Sequence, residues 1–185
     1  MSNGTKVKKR DGRIESLDLD KMHLMVEEAC TGLAGVSASQ VEMKSGIQFY
    51  DGITTAEIQE ILIRSASDLI DLDHVNYQFV AARLLLFSIR KNLYGKIREM
   101  PSLEDHIYSC TSIDVYDKEI FTKYSKEEIS KADSYVDHDR DFIFTYAGLR
   151  QVADKYLVQD RSNSCLLYTS PSPRDLSTSR MPSSA

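Results

Sequence analysis

The longest apolar segment of the chain, residues 75–94, repeats its hydrophobic side chains at the spacing of an α-helix. Its apolar positions are Phe79, Val80, Ala81, Leu84, Leu85, Phe87, Ile89 and Leu93. A helix that is apolar around most of its circumference has to be buried by neighbouring elements. The segment therefore predicts the central helix of a bundle. Arg90, Lys91 and Lys96 follow at its carboxyl end, where the helix dipole favours cations.

Three shorter segments before this helix show the same periodicity. They predict helices at 18–33, 38–49 and 54–70. Asp18 or Asp20 is suited to cap the first of these helices. Thr54 or Thr55 is suited to cap the third, and Glu57 stands where it completes a capping box with Thr54. Together these helices form the greater part of the first predicted domain.

Residues 7–17 predict a short β-hairpin in front of the first helix. Asp11 and Gly12 are a strong two-residue turn signal, because a type I′ turn requires positive φ angles. A ribbon of this length is not stable alone and needs helices packed against it. Residues 1–96 are thus predicted to be a hairpin packed on a four-helix bundle, and the fold class is mainly α.

The same segment carries a cluster of charged residues. Lys9 and Arg10 precede the turn, Glu15 follows it, and Asp18 and Lys21 lie at the start of the first helix. Because helix N-termini favour anions, the cluster predicts a clamp for the phosphates and ribose of a nucleotide. A solvated basic edge that protects the ribbon from aggregation would give the same residue pattern. The charged residues alone leave both interpretations open.

The overall composition narrows the classes of function. A net charge of −5 over 185 residues argues against a general nucleic-acid binder. No apolar run reaches eighteen residues, so no membrane span is predicted. Cys30, Cys110 and Cys165 are far apart and form no CxxC pair, which excludes a zinc ribbon and favours a reducing, cytoplasmic setting.

Beyond Pro101 the chain becomes more polar. Residues 97–164 are predicted to contain short helices at 103–110, 117–124, 126–135 and 146–156. Asp137, His138 and Asp139 resemble a metal or acid–base group. However, adjacent residues rarely point at one ion, so a charged turn is the preferred interpretation.

Residues 165–185 differ from the rest of the chain, because they are rich in Ser and Pro and show no periodicity. Their composition predicts disorder. The string also resembles the translation of a sequencing-library adapter. We therefore expect that this tail is not natural protein and that the natural chain is interrupted near residue 164.

Four stretches carry a resemblance to a known family. The sequences VKKRDGRIESLDLDKMH, IQFYDGITTAEIQE, YQFVAARLLLFSIRK and YVDHDRDFIFTYAGLRQVADKYLVQDR resemble the beginning of the large (α) subunit of class I ribonucleotide reductases. Residues 1–96 are similar to the ATP-cone, the allosteric overall-activity domain of that family. Residues 97–164 resemble the start of the helical segment that leads to its catalytic barrel.

The resemblance implies an effector, partners and a set of contacts. The effector would be ATP or dATP with Mg²⁺, and the partners would be the small radical-generating β subunit and further α subunits. Neither nucleic acid nor a membrane is an expected partner. The positions that match or adjoin the family's nucleotide contacts are Lys9, Arg10, Glu15, Ser16, Leu17, Asp18, Leu19, Asp20, Lys21, Met22, Phe49, Thr55, Gln59 and Lys91. Asp18 and Gln59 depart from the enterobacterial pattern, which has Asn and His at these positions.

The resemblance also implies that the parent protein reduces ribonucleoside diphosphates. The redox cysteines and the substrate-phosphate site of the family lie further along its members, and the three cysteines of this chain match none of them. No catalytic or metal-binding residue is therefore expected here. Two alternatives remain at this point. One is the ATP-cone of a nucleotide-sensing transcription repressor, and the other is a degenerate cone that acts only as a helical subunit-interaction domain.

Overall fold

A three-stranded sheet forms the beginning of the structure. In this computed structural model, residues 5–9, 12–46, 48–157, 159–160 and 165–166 are described. The strands are β1 (Lys6–Lys8), β2 (Ile14–Ser16) and β3 (Ile53–Thr54), in the order β2-β1-β3. Strand β1 pairs antiparallel with β2 and parallel with β3. Val7 and Ile53 are paired and almost fully buried, so the sheet is anchored through its middle strand.

Four helices follow the pattern of the sequence closely. They are α1 (Leu19–Cys30), α2 (Ala38–Gly46), α3 (Thr55–Ser67) and α4 (Tyr77–Tyr94). Helix α2 ends three residues earlier than predicted, because Gly46 is a poor helix former. The fully buried side chains of the bundle include Val26, Ala29, Val41, Leu62, Ala66, Val80 and Ala81. The mainly helical fold class is confirmed.

Three polar side chains fix the amino-terminal half of α4 to the preceding helices. The Tyr77 hydroxyl accepts from the backbone N–H of Ser37 at 2.9 Å and donates to Gln40 Oε1 at 2.6 Å. Asn76 Nδ2 donates to the carbonyl of residue 34 at 2.8 Å. Arg83 donates to the carbonyls of residues 29 and 31, so its guanidinium group caps the end of α1. These bonds satisfy backbone groups that helix ends leave without intrahelical partners.

The remaining elements are shorter. They are α5 (Leu103–Ser112), α6 (Ile120–Lys123), α7 (Lys126–Asp133), a 3₁₀ helix (His138–Ile143), α8 (Tyr146–Lys155), β4 (Gln159–Asp160) and β5 (Cys165–Leu166). Helices α5 and α7 pack together, and their buried apolar side chains are Ile107, Cys110 and Ile129. The chain divides into two units, Met1–Ser88 with Phe144–Arg150 and Ile89–Ile143 with Gln151–Ala185.

Several local predictions required correction. The hairpin closes through Gly12 N donating to Lys9 O and Lys9 N donating to Arg13 O, with Gly12 at φ +85°. Gly12 thus has the positive φ angle that the turn prediction requires, and Asp11, the other residue of the predicted turn, lies outside the described residues. Strand β3 was not predicted, and the charged turn predicted at Asp137, His138 and Asp139 continues as the 3₁₀ helix. Cys165 and Leu166 form a strand where disorder was predicted, and residues 167–185 of the tail lie outside the described residues.

The Tyr77 hydroxyl gives a direct test of the α2–α4 connection. The Tyr77→Phe change leaves the N–H of Ser37 without its acceptor in a half-buried position. We expect a loss of about 1–3 kcal/mol in the free energy of unfolding, measured by urea denaturation. Tyr135→Phe removes a hydroxyl from a side chain that is exposed and serves as the control, with a change within about 0.5 kcal/mol. Equal effects of the two changes would contradict the assignment.

Candidate functional site

The parallel pairing of β1 and β3 brings two predicted site residues to the same end of the sheet, where both strands have their carboxyl ends. Lys8 is the partner of Thr54 in this pairing, so Lys9 and Thr55 are the next residues along two adjacent strands. Helix α3 begins at Thr55. The ammonium-bearing Lys9 therefore follows the strand beside a helix N-terminus, whose backbone N–H groups and dipole favour a phosphate.

The capping of α3 shows which threonine holds the helix start. Thr54 Oγ1 accepts from the N–H of Glu57 at 3.1 Å, and Glu57 Oε2 accepts from the N–H of Thr54 at 2.8 Å. The predicted capping box is therefore confirmed at Thr54. These bonds, with a further one from the Tyr50 hydroxyl, hold the pKa of the Glu57 carboxyl below its usual value. Because Thr54 is the cap, the half-buried Thr55 is not needed for that role.

Glu15 forms ion pairs with two basic residues of the hairpin. Its carboxylate lies 3.3 Å from Lys9 Nζ and 3.5 Å from an Arg13 guanidinium nitrogen. Arg13 was not among the predicted contacts. It lies two residues before Glu15, and this spacing on a strand places both side chains on one face. Arg10 lies outside the described residues.

Asp18 is the N-cap of α1. Its Oδ1 accepts from the N–H of Lys21 at 3.0 Å, and its Oδ2 lies 2.9 Å from Lys21 Nζ. The backbone hydrogen bond is the first cause of a lowered pKa of the Asp18 carboxyl, and the bond to the Lys21 ammonium adds to it. The same pairing raises the pKa of Lys21. The negative charge of Asp18 is thus balanced locally rather than presented alone to a ligand.

The hairpin separates these two groups of residues. Because β1 and β2 are antiparallel, Lys8 pairs with Ile14 and Lys6 pairs with Ser16. The end of β2, at Ser16, therefore lies beside the start of β1, and Lys9 follows the opposite end of β1. The two ends are about 7 Å apart, since two residues of strand span that length. Lys9 and Thr55 therefore mark one end, and the segment from Ser16 to Lys21 begins at the other.

The other predicted positions differ in exposure. Gln59 is buried one turn after Thr55 on α3, and Met22 and Phe49 are half-buried. Leu17 is half-buried and is held by its N–H to the carbonyl of residue 5 at 2.8 Å. The exposed predicted positions are Ser16, Leu19 and Asp20. Lys91 is half-buried in the last turn of α4 and belongs to the second unit.

The described residues contain neither a helix suited to cross a membrane nor a cluster suited to bind a metal ion. No helix there has the length and hydropathy that a membrane crossing requires. No group of His, Cys, Asp and Glu side chains in the same residues is arranged to hold a metal ion. Within the 137–139 sequence, Asp137 Oδ1 accepts from the N–H of Asp139 at 3.1 Å, which is a capping role.

Comparison with protein families identifies the first region. Residues 5–92 match the family described as the ATP cone domain. The match contains the hairpin, strand β3 and the four helices up to residue 92. This region is therefore an ATP cone domain.

Comparison with individual proteins extends the similarity beyond the cone. The chain is 46% identical over 161 residues to ribonucleoside-diphosphate reductase 1 subunit alpha of Escherichia coli (strain K12). It is 44% identical over 161 residues to the alpha subunit of Haemophilus influenzae and 40% identical over 156 residues to that of Enterobacteria phage T4. These matches cover 87%, 87% and 83% of the chain. Over most of its length the chain is thus similar to the first part of ribonucleoside-diphosphate reductase alpha subunits.

The matched relatives are much longer proteins. The chain spans 21% of the Escherichia coli protein, 21% of the Haemophilus protein and 20% of the phage protein. It thus represents about a fifth of their length. The comparisons give no support to the alternatives of a transcription repressor or of an interaction domain that has lost its nucleotide site.

The two adjacent threonines allow the cap of α3 to be tested. Thr54→Ala removes the capping hydroxyl and is expected to lower the free energy of unfolding by about 1 kcal/mol. Thr55→Ala keeps the capping box and is expected to change it by less than about 0.5 kcal/mol. Urea denaturation of both variants measures the difference. A larger loss for Thr55→Ala would refute the assignment of the cap.

The charge of Asp18 has a pH-dependent consequence. Asp18→Asn keeps an acceptor for the cap but removes the charge that pairs with Lys21. Because the folded-state pKa of Asp18 is lowered, its stabilising effect is present above the unfolded-state pKa of about 4 and is lost as the pH falls through the lower folded value.

Wild type is therefore expected to be the more stable protein at neutral pH and to converge with Asp18→Asn in acid. Urea midpoints recorded from about pH 7 down to about pH 2 measure this. A difference between the two proteins that is constant with pH would contradict the role of the charge.

Proposed function

We propose that the cone binds ATP or dATP as an allosteric effector. The observation that carries this proposal is the strand register, which aligns Lys9 with the N-terminus of α3. A cation beside free backbone N–H groups is an arrangement that favours phosphate. The family match over residues 5–92 supports an adenine nucleotide as the ligand.

The geometry supports an orientation for the nucleotide. In the proposal, the phosphates lie at the end marked by Lys9 and Thr55. The sugar and base follow the segment from Glu15 to Lys21, in which Glu15 lies beside Lys9 and Ser16 about 7 Å from that end of the hairpin. The half-buried Met22 and Phe49 would supply apolar surface beside the base or sugar.

The charges of the hairpin support phosphate binding without a new conformation. Lys9 is about one-third exposed and pairs with Glu15, which is itself 44% exposed. An exposed ion pair of this kind contributes little to the free energy of unfolding. A phosphate can therefore replace Glu15 as the partner of Lys9 at a small cost in free energy. Glu15 would then be available to accept a hydrogen bond from a ribose hydroxyl.

Three further positions enter the proposal from the sequence. Arg10 and Lys91 are proposed as further cationic contacts of the nucleotide on the ground of the family resemblance alone. Gln59, buried one turn after Thr55, would contribute an amide group in place of the family's His. Its amide can both donate and accept, so we propose that it affects the balance between ATP and dATP.

Mg²⁺ would accompany the nucleotide rather than occupy a protein cage. The ion prefers phosphate oxygens and water, with few protein ligands. The Asp18 carboxylate is engaged by the helix cap and by Lys21, so it is poorly suited to direct metal binding. The triphosphate would therefore be the main ligand of the ion.

For the whole protein we propose the activity that its relatives' names state. It would reduce ribonucleoside diphosphates and so supply deoxyribonucleotides for DNA synthesis. The residues of this chain would act in regulation, with the active site in the remainder of the parent protein. Nucleotide binding at the cone would govern association with the small β subunit and with further alpha subunits.

Titration calorimetry tests nucleotide binding directly. The complete 185-residue chain should bind ATP and dATP in the presence of Mg²⁺. Lys9→Ala should weaken binding about tenfold or more, because it removes a charge-assisted contact to phosphate. Lys118→Ala lies outside the cone and is the matched control, with unchanged affinity. Failure of the wild-type chain to bind either nucleotide at millimolar concentration would overturn the proposal and favour a degenerate cone.

A further inference from the structure

A single carboxylate of the hairpin binds two cations through its two oxygens. Lys9 Nζ lies 3.3 Å from Glu15 Oε2, whereas an Arg13 guanidinium nitrogen lies 3.5 Å from Glu15 Oε1. Because the two cations bind different oxygens, Glu15 can lose one of them and remain paired with the other. Two cations and one anion also leave this group with a net positive charge.

The register of the hairpin explains why these side chains meet. Val7 pairs with Glu15, and the hydrogen bond from Lys9 N to Arg13 O at 2.8 Å continues the same register toward the turn. Residues that oppose one another in a ribbon point to the same face, and so do residues two apart along one strand. The three charged side chains therefore share the face that carries the buried Val7, and Lys8 lies on the opposite face.

The order of the strands places Arg13 on the far side of Lys9 from helix α3. Strand β1 lies between β2 and β3, so Lys9 lies between Arg13 and the start of α3 at Thr55. Two strand spacings, roughly 10 Å, separate the backbone of Arg13 from that helix start. The side chain of Arg13 is 71% exposed, against 33% for Lys9. Lys9 is thus the nearer cation for a phosphate at the α3 N-terminus, and Arg13 is the nearer one for Glu15 after Lys9 has left.

We propose that Arg13 is a positioning residue for effector binding, because it remains the partner of Glu15 when Lys9 binds the phosphates. The inference rests on the proposed function, in which Lys9 is a phosphate contact. Without Arg13, the Glu15 carboxylate would either compete with the phosphates for Lys9 or lie unpaired beside them. Both outcomes raise the free energy of the bound state. With Arg13 present, the carboxylate keeps a partner throughout the exchange.

This role predicts an effect on affinity without an effect on stability. In the free protein, Glu15 still has Lys9 as a partner when Arg13 is removed, and exposed ion pairs contribute little to the free energy of unfolding. In the bound protein, Lys9 is engaged by phosphate, so the contact of Glu15 with Arg13 matters more. A contact that is stronger in the bound state than in the free state raises the affinity for the ligand.

Arg13→Gln is the central variant, because it removes the charge and keeps a polar side chain. Lys8→Gln is the matched control: it removes one positive charge from the same hairpin, on the face opposite Glu15. The complete chain is titrated with ATP and Mg²⁺ at about 0.15 M salt, where exposed charges more than about 8 Å apart are largely screened. The affinity should fall about fivefold in Arg13→Gln and change by less than about twofold in Lys8→Gln.

Two further measurements separate positioning from a loss of structure. Arg13→Lys keeps the positive charge and should restore most of the affinity. The urea midpoint of Arg13→Gln should equal that of wild type, because the removed pair is exposed. Equal weakening by Lys8→Gln and Arg13→Gln would overturn the proposal, since it would show an effect of net charge alone. Unchanged affinity in Arg13→Gln would also overturn it.

A double-mutant cycle with Glu15 separates positioning from direct binding of phosphate by Arg13. Glu15→Gln removes the charge but keeps an acceptor oxygen. If Arg13 acts through the carboxylate, adding Arg13→Gln to Glu15→Gln should change the affinity by less than about twofold. Equal losses in the two backgrounds would show that Arg13 contacts the nucleotide itself and would refute the positioning role.

The titration of wild type distinguishes this inference from the one on which it rests. If the wild-type chain binds neither ATP nor dATP, the proposed function fails and the role of Arg13 fails with it. If wild type binds, Lys9→Ala weakens binding and Arg13→Gln does not, the role of Arg13 fails while the proposed function stands. A loss in Arg13→Gln that disappears in the Glu15→Gln background supports both.

Discussion

The site depends on the pairing of a strand near the start of the chain with one that follows some 45 residues later. Lys6 receives a hydrogen bond at its carbonyl from the N–H of Gly52, and its own N–H donates to Asp51 Oδ1, both at 2.8 Å. An isolated two-stranded ribbon is only marginally stable in water. Strand β3 therefore stabilises the β1–β2 hairpin by pairing with the free side of β1. The pairing also places the start of α3 beside Lys9. The stability of the sheet and the position of Lys9 beside the start of α3 therefore both depend on the pairing of β1 with β3.

The electrostatics of the cone are built from local pairs. Asp18 with Lys21 and Glu15 with Lys9 each join a carboxylate to an ammonium group at the surface. Exposed pairs of this kind hold side chains in place but cost little to rearrange. The pair of Arg90 with Asp141 is different, because Arg90 is buried and breaking the pair leaves a charge without solvent. The molecule thus has exchangeable charge pairs on the surface of the hairpin and the start of α1, and a fixed, buried charge in the last turn of α4.

Prediction from sequence succeeded where the determining interactions are local. The capping box of Thr54 and Glu57 lies within four residues, and the helical periodicity of α3 and α4 spans single segments. It failed at β3, because a two-residue strand has no periodicity of its own and exists only through its partner β1.

The sequence by itself determined the helices, their caps, the charged hairpin and the family that the chain resembles. These follow from spacing, side-chain type and similarity, which do not need coordinates. The tertiary structure decided that Lys9 and Thr55 lie at the same end of the sheet and that the charge of Asp18 is balanced by Lys21. It also decided that Arg90 is buried against residues 138–143. Each of these depends on contacts or strand registers that are formed only when the chain folds. Register and burial are properties of the packed chain, because the same residue pattern is compatible with several pairings until the core selects one.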